Sequence, residues 1–251
     1  MEAPSPTPQP SFYRLVADDA SRPLMQALAR AYQERQPWVI FTVEHGSAAF
    51  VAEQLASNQA QLGALATLPS GSNWWLTDLA ADAVAILAHE QNTRQTFSLA
   101  ELRAIFAGER NQWSDFGVSG LGDIKVAVRE DGEATRNVFD HNVMGDRRLT
   151  LDALLMPSAD IMLRYVALNP GALGYVPLSR LAQQRLSVRA IPIAGVSPTP
   201  QTVASGEYAL TFPVYFIAAG EPTGSLRDFV LWALREEGRQ VTASMGYSPL
   251  P

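Results

Sequence analysis

The chain has 251 residues, of which 47% are hydrophobic and 18% charged, and its formal net charge is −6. This length and composition predict a folded protein with a sizeable core. The lack of any basic run argues against nucleic acid as a partner, and the lack of cysteine excludes disulfides, thiolate metal ligands and cysteine nucleophiles.

Four prolines occur within residues 1–10. Proline cannot continue a helix or a central strand, so this segment is predicted to be an extended, disordered tether.

The first part of the chain alternates between short apolar strands and amphipathic helices. The predicted strands span residues 12–17, 38–43 and 61–66, and the predicted helices span 22–34 and 47–57. This alternation favours a parallel sheet with crossover helices.

Further elements follow with a less regular order. Ser98 is expected to cap a helix that Gly108 ends, and another helix is expected after Arg136. Residues 208–218 are predicted to form a long apolar strand broken by Pro213. The remaining predicted strands are 83–88, 124–128, 171–177 and 188–193, and the last predicted helix is 226–235.

The sequence contains no motif that is typical of a catalytic or metal site. The three histidines are scattered without metal-ligand spacing, and there is no Gly-x-Ser-x-Gly elbow, phosphate loop or dinucleotide fingerprint. We therefore expect no cofactor, no metal and no catalytic residue, and predict that the protein is not an enzyme.

Several short motifs resemble, in the same order, those of the phosphate-binding proteins of ABC transporters. This family lies within the larger class of two-lobed solute-binding proteins. The motifs are Ala104–Trp113, the loop Arg129–Arg136, Asn169–Tyr175, Ala194–Thr199 with Gly206–Leu210, and Glu237–Gln240 with Gly246–Tyr247.

The resemblance implies an α/β protein with the two-lobed type II periplasmic-binding-protein fold. Its features would be mixed sheets, flanking helices and two crossing hinge strands, with the ligand between the lobes. Residues 1–10 would then be the tether, 11–83 with 208–251 lobe one, and 84–207 lobe two.

The resemblance also implies where the ligand binds. In this family helix N-termini present free backbone N–H groups to an oxyanion, and hydroxyl groups and one arginine add further donors. The positions that correspond here are Asp18, Asp19, Ala20, Ser21, Gly46, Ser47, Ala48, Thr67, Arg129, Gly132, Glu133, Ala134 and Thr135.

Three departures from the family pattern affect this expectation. Asp18 and Asp19 replace small hydroxyl residues, Ala66 stands where the family has a proton-accepting Asp, and Glu133-Ala134 replaces Ser-Gly. Two like charges about 4 Å apart repel by roughly 1 kcal/mol in water and by more in a partly buried site.

Three interpretations therefore stay open. In the first, the site binds phosphate or a similar oxyanion with its acidic side chains turned away. In the second, it has changed to an organic or cationic ligand that Glu133 meets together with Asp18 or Asp19. In the third, Glu133 satisfies the helix N-terminus and Arg129 by itself, and the protein is a ligand-sensing or scaffold module without transport.

The resemblance further implies a monomer that closes over its solute and then docks on a membrane ABC permease. It implies an extracytoplasmic location, periplasmic or at the cell surface. The tether would be the spacer of a lipoprotein, lipid-anchored through an N-terminal signal and cysteine that have been removed.

Overall fold

The computed structural model describes residues 9–68 and 73–250, and within these residues the chain forms ten strands and nine α-helices. The strands are β1 (Ser11–Ala17), β2 (Val39–His45), β3 (Leu62–Leu65), β4 (Trp75–His89), β5 (Lys125–Arg129), β6 (Leu154–Met156), β7 (Ala172–Pro177), β8 (Val188–Ile191), β9 (Thr211–Ala218) and β10 (Ser248–Pro249). The helices are α1 (Arg22–Arg35), α2 (Ala48–Ala56), α3 (Leu99–Phe106), α4 (Ala134–Phe139), α5 (Ala159–Leu168), α6 (Leu178–Ala182), α7 (Pro200–Ala204), α8 (Gly224–Ala233) and α9 (Glu236–Ser244).

The chain divides into two compact units. Unit 1 takes the described part of Met1–Leu79 together with Tyr215–Thr242, and unit 2 takes Ala80–Val214 with the described part of Ala243–Pro251. The lobe boundaries predicted from the resemblance stay a prediction.

Unit 1 contains a sheet with the strand order β2-β1-β3-β9. β1 is parallel to both β2 and β3, whereas β9 pairs with β3 in the antiparallel direction. α1 and α2 are the crossover connections between the parallel strands, which is the arrangement that the strand–helix alternation predicted.

One part of the core of unit 1 lies where α2 packs on β3. Val51 and Leu55 of α2 are fully buried, as is Ile217 of β9. A Cβ atom on Gly63 would lie 2.9 Å from Cγ2 of Ile217 and 3.0 Å from Cδ1 of Leu55. The close approach of helix and sheet therefore requires glycine at this position.

Unit 2 contains the strand order β4-β7-β5-β6. β5 is parallel to β6 and β7, while β4 is antiparallel to β7, β8 and β10. α5 packs on this sheet through the fully buried side chains of Met162, Leu163 and Val166.

The helix over Leu99–Phe106 is confirmed, with a capping box between Ser98 and Glu101 and with Gly108 in the left-handed region at φ 77°. The predicted break at Pro213 is wrong, because β9 runs through this residue from Thr211 to Ala218. Pro213 is exposed and lies outside the β3–β9 register, so its missing N–H removes no hydrogen bond from that pair.

Most of the predicted tether falls on residues 1–8, which lie outside the described residues. Within the described ranges, none of the helices combines the length and the apolar character needed to cross a bilayer.

Candidate functional site

The predicted ligand-binding segments of unit 1 follow the ends of neighbouring parallel strands. Ala17, the last residue of β1, pairs with His45 at the end of β2 and with Ala64 of β3. The loops that begin at Asp18, Gly46 and Ala66 therefore meet at one edge of this sheet. Ligands of α/β proteins bind at the carboxyl ends of such strands.

Asp18 is a buried carboxylate that joins two of these loops. Oδ1 accepts a hydrogen bond from the backbone N–H of Ser21 at 2.8 Å and a short one from the Ser21 hydroxyl. Oδ2 accepts the backbone N–H of Ala66 at 2.8 Å. Because both oxygens accept hydrogen bonds from the protein, Asp18 ties the start of α1 to the loop after β3.

The neighbours of Asp18 have separate contacts. Asp19 pairs with Arg22 at 3.5 Å, Ala20 is buried, and the Ser21 hydroxyl also lies 3.1 Å from the carbonyl oxygen of Ala64. The first acidic residue thus has a structural role, and the second forms a local ion pair at the start of α1.

The loop after β2 carries the predicted ligand serine. Ser47 is exposed and caps α2 by accepting the N–H of Phe50 at 3.2 Å, and Ala48 is the first residue of that helix. The Gly46 N–H donates to the carbonyl oxygen of Ala17 at 3.1 Å, which holds this loop against the end of β1. Thr67, after β3, is half-buried.

In unit 2 the predicted anion loop begins with a buried arginine. Arg129 is the last residue of β5 and only 2% exposed. Its backbone N–H donates to the Tyr175 hydroxyl at 3.3 Å, and its carbonyl oxygen accepts a hydrogen bond from Arg136 at 2.8 Å. Arg136 in turn forms an ion pair with Asp140 at 2.6 Å. These contacts fix the backbone from which the guanidinium extends.

The Tyr175 ring is part of this support. It stacks on Phe139 with the ring centroids 4.4 Å apart and an interplanar angle of 9°. Burial raises the pKa of Tyr175 well above its ordinary value, although the hydrogen bond from Arg129 opposes this shift. Tyr175 therefore stays neutral and acts as a hydrogen-bond acceptor beneath Arg129.

Glu133 occupies the start of α4. Its Oε2 atom accepts the backbone N–H groups of Thr135 and Arg136, at 3.0 and 3.2 Å, and the Thr135 hydroxyl at 2.5 Å. Its Oε1 atom lies 4.0 Å from Nη2 of Arg129. Gly132, just before it, has φ 78°, in the left-handed region that favours glycine.

These contacts bear on the interpretations left open by the sequence. Ala134 and Thr135 are buried behind Glu133, and the Glu133 carboxylate points at the donors of its own loop. The carboxylate therefore serves as the N-cap of α4. The ligand roles predicted for individual residues of both units stay predictions.

Sequence reasoning missed a buried acidic group in unit 2. Asp82 is 1% exposed and accepts hydrogen bonds from Ala83 N, Ser179 N and Ser179 Oγ at 2.7, 3.1 and 2.6 Å. Burial raises its pKa to about 7, and the three hydrogen bonds act in the opposite direction. The signal was an acidic residue next to a continuous apolar strand.

A second missed residue is Ser158, which follows β6. It caps α5 by accepting the N–H of Ile161 at 3.2 Å. Because Met156 pairs with Arg129 in the parallel β5–β6 register, this cap lies at the same sheet edge as the anion loop. Across the described residues there is no group of three or more His, Cys, Asp and Glu side chains that could hold a metal.

Comparisons with known proteins agree with this architecture. A family model described as "PBP superfamily domain" matches residues 6–237. The phosphate-binding protein PstS of Bacillus subtilis (strain 168) is 26% identical over 240 residues, covering 92% of this chain and 78% of that protein.

Solved structures show the same fold. A phosphate ABC transporter substrate-binding protein from Clostridium perfringens, solved with bound phosphate, superposes with a TM-score of 0.87 at 24% identity and covers 96% of this chain and 100% of its own. An ABC-type phosphate transport receptor from Vibrio cholerae gives 0.77 at 21% identity, covering 94% and 98%. The predicted two-lobed type II fold is confirmed. The chain belongs to the PBP superfamily, in which its relatives include the PstS phosphate-binding proteins, as its motifs predicted.

Proposed function

We propose that this chain is the solute-binding component of an ABC importer and that it binds phosphate or a similar oxyanion. Two kinds of observation support this. The sequence and structural relatives named above are phosphate-binding transport proteins, and the anion loop of unit 2 has kept its buried arginine and its backbone donors.

The observation that carries the proposal is the position of Arg129. Its buried guanidinium extends from the last residue of the parallel strand β5, in the loop where the Glu133 carboxylate lies 4.0 Å away. Its planar fork matches two oxygens of a phosphate group. Neighbouring N–H groups of Thr135 and Arg136 add the directional donors that an oxyanion requires.

In this proposal the protein is a binding protein without catalytic residues, and it acts as a monomer outside the cytoplasm. The predicted lobes close over the solute, and the closed form docks on a membrane permease. The lipid anchor implied by the family resemblance is part of the same proposal.

Calorimetry of the ligand-stripped protein with inorganic phosphate at low salt tests the binding step. We expect saturable binding that Arg129→Ala abolishes and Arg129→Lys weakens, because lysine keeps the charge but loses the fork. The matched control is Arg147→Ala, which removes an exposed arginine of unit 2 that pairs with Glu109 at 2.9 Å. This variant should leave the phosphate affinity unchanged. Thermal melting of each empty variant verifies folding.

Failure of phosphate at millimolar concentration to give heat or thermal stabilisation would contradict the proposal.

One observation favours a second candidate, a ligand-sensing or scaffold module without transport: Glu133 already satisfies donors of the anion loop. Solution scattering separates the two, because a transporter component becomes more compact with ligand and a scaffold does not.

A further inference from the structure

Glu133 differs from the other acidic residues of the anion loop. The side chains of Glu130 and Asp131 are exposed, whereas that of Glu133 is only 11% exposed. The loop therefore turns two of its three carboxylates to solvent and one towards its own donors.

We propose that Glu133 is an intramolecular competitor for the ligand anion and thereby sets the affinity of the site. This inference rests on the proposed function. The carboxylate holds two backbone N–H groups and the Thr135 hydroxyl through a single oxygen, Oε2. A bound oxyanion needs the same three donors, so it must displace Glu133 before it can bind.

The second carboxylate oxygen makes this displacement feasible. Glu133 Oε1 is buried and makes no hydrogen bond with any residue that the structure describes. It lies 4.0 Å from Nη2 of Arg129, beyond hydrogen-bonding distance. A tetrahedral oxyanion carries more oxygens than a carboxylate, so it can take the donors at Oε2 and also reach the guanidinium.

A role as a simple helix cap does not account for the choice of residue. Ser, Thr, Asp and Asn are the side chains preferred at the N-cap, because their short side chains reach the first N–H groups directly. Glutamate reaches them only with a longer side chain. Serine at position 133 would keep a cap and remove the carboxylate.

The consequence is a lowered apparent affinity. When only a fraction of molecules has free donors, the apparent dissociation constant rises by the inverse of that fraction. Removing Glu133 should therefore tighten phosphate binding, whereas removing a contact residue would weaken it.

The experiment is a phosphate titration of the wild type, Glu133→Ser and the matched control Glu130→Ser, which removes the same charge from an exposed position of the same loop. We expect the dissociation constant of Glu133→Ser to fall at least about tenfold, and that of Glu130→Ser to change by less than about twofold. Glu133→Gln keeps the size and an accepting oxygen without the charge, and should lie between wild type and Glu133→Ser. It replaces the serine variant if that variant does not fold.

The outcomes separate this inference from the proposed function. Tighter binding by Glu133→Ser than by the wild type supports the inference. Equal or weaker binding by Glu133→Ser, with wild-type binding that depends on Arg129, overturns the inference and leaves the proposed function intact. No phosphate binding by either protein overturns both.

Discussion

The carboxylate of Asp82 is held by Ser179 through two hydrogen bonds, one from the backbone N–H at 3.1 Å and one from the hydroxyl at 2.6 Å. The two residues are 97 positions apart in sequence and both are buried. This pair fixes the start of α6 to β4 within unit 2, and the titration of Asp82 affects the stability of the fold.

The stability of the protein should depend on pH through Asp82. Its pKa in the folded state, about 7, lies above the ordinary value of 3.8, so between these values the folded state binds the proton more tightly than the unfolded state. The free energy of unfolding therefore falls as pH rises from about 4 to about 7, by at most about 1.4 kcal/mol per pH unit, and levels off above that range. Urea unfolding across this range measures the effect.

Asp82→Asn is the control for this dependence. The amide oxygen can still accept the two backbone N–H groups, and the amide nitrogen can donate to the Ser179 hydroxyl, so the fold should persist. Between about pH 4 and 7 the free energy of unfolding of Asp82→Asn should fall less than that of the wild type, because the amide does not titrate. Parallel pH profiles for wild type and Asp82→Asn would show that Asp82 ionises normally.

Substitution of Asp18 should destabilise unit 1. Asp18→Ala leaves the N–H groups of Ser21 and Ala66 without their buried acceptor, which costs about 2–4 kcal/mol in the free energy of unfolding. Asp19→Ala removes the partly exposed pair with Arg22, and an ion pair of this kind contributes less than about 1 kcal/mol. Equal urea midpoints for the two variants would contradict the structural role of Asp18.

Tyr175→Phe should loosen the support of Arg129. The substitution removes the oxygen that accepts the Arg129 N–H but keeps the ring that stacks on Phe139. We expect a loss of about 0.5–1.5 kcal/mol in stability and weaker phosphate binding. Tyr165→Phe, at a half-buried position of unit 2, is the control and should keep wild-type affinity. Unchanged phosphate affinity in Tyr175→Phe would show that the tyrosine hydroxyl does not contribute to phosphate binding.

Gly63→Ala should overpack unit 1. The new methyl group would lie 2.9 Å from Ile217 and 3.0 Å from Leu55 and Val51, which typically costs about 1–3 kcal/mol. A Cβ on Gly220, also in unit 1, meets nothing within 4 Å, so Gly220→Ala should leave the melting temperature nearly unchanged. A melting temperature of Gly63→Ala equal to that of Gly220→Ala would contradict the close packing of α2 on β3.

The sequence predicted those parts of the fold that depend on local pattern. Alternating strands and helices led to the parallel sheet of unit 1, and the motif order led to the type II fold. The contact of Asp18 with Ala66 could not be predicted, because it depends on the register that places the end of β1 beside β3.

The orientation of Glu133 was left open for a related reason. The residue types around it fit a carboxylate facing solvent, a cation or its own helix, and only the backbone path through Gly132 decides among them. The hydrogen bonds between Asp82 and Ser179 join β4 to α6, two elements that no local pattern connects. Contacts between residues so far apart in the chain cannot be predicted from the local pattern of a single sequence.

The Asp18 carboxylate has a consequence for the entropy of the loops that it joins. Each loop residue loses conformational freedom worth about 1–2 kcal/mol when its backbone becomes fixed. Asp18 accepts hydrogen bonds from the N–H groups of Ser21 and Ala66, so the loops after β1 and β3 become ordered when the protein folds. If the proposed solute binds at these strand ends, the loops have little conformational freedom left to lose, and less of the binding free energy is consumed in ordering them.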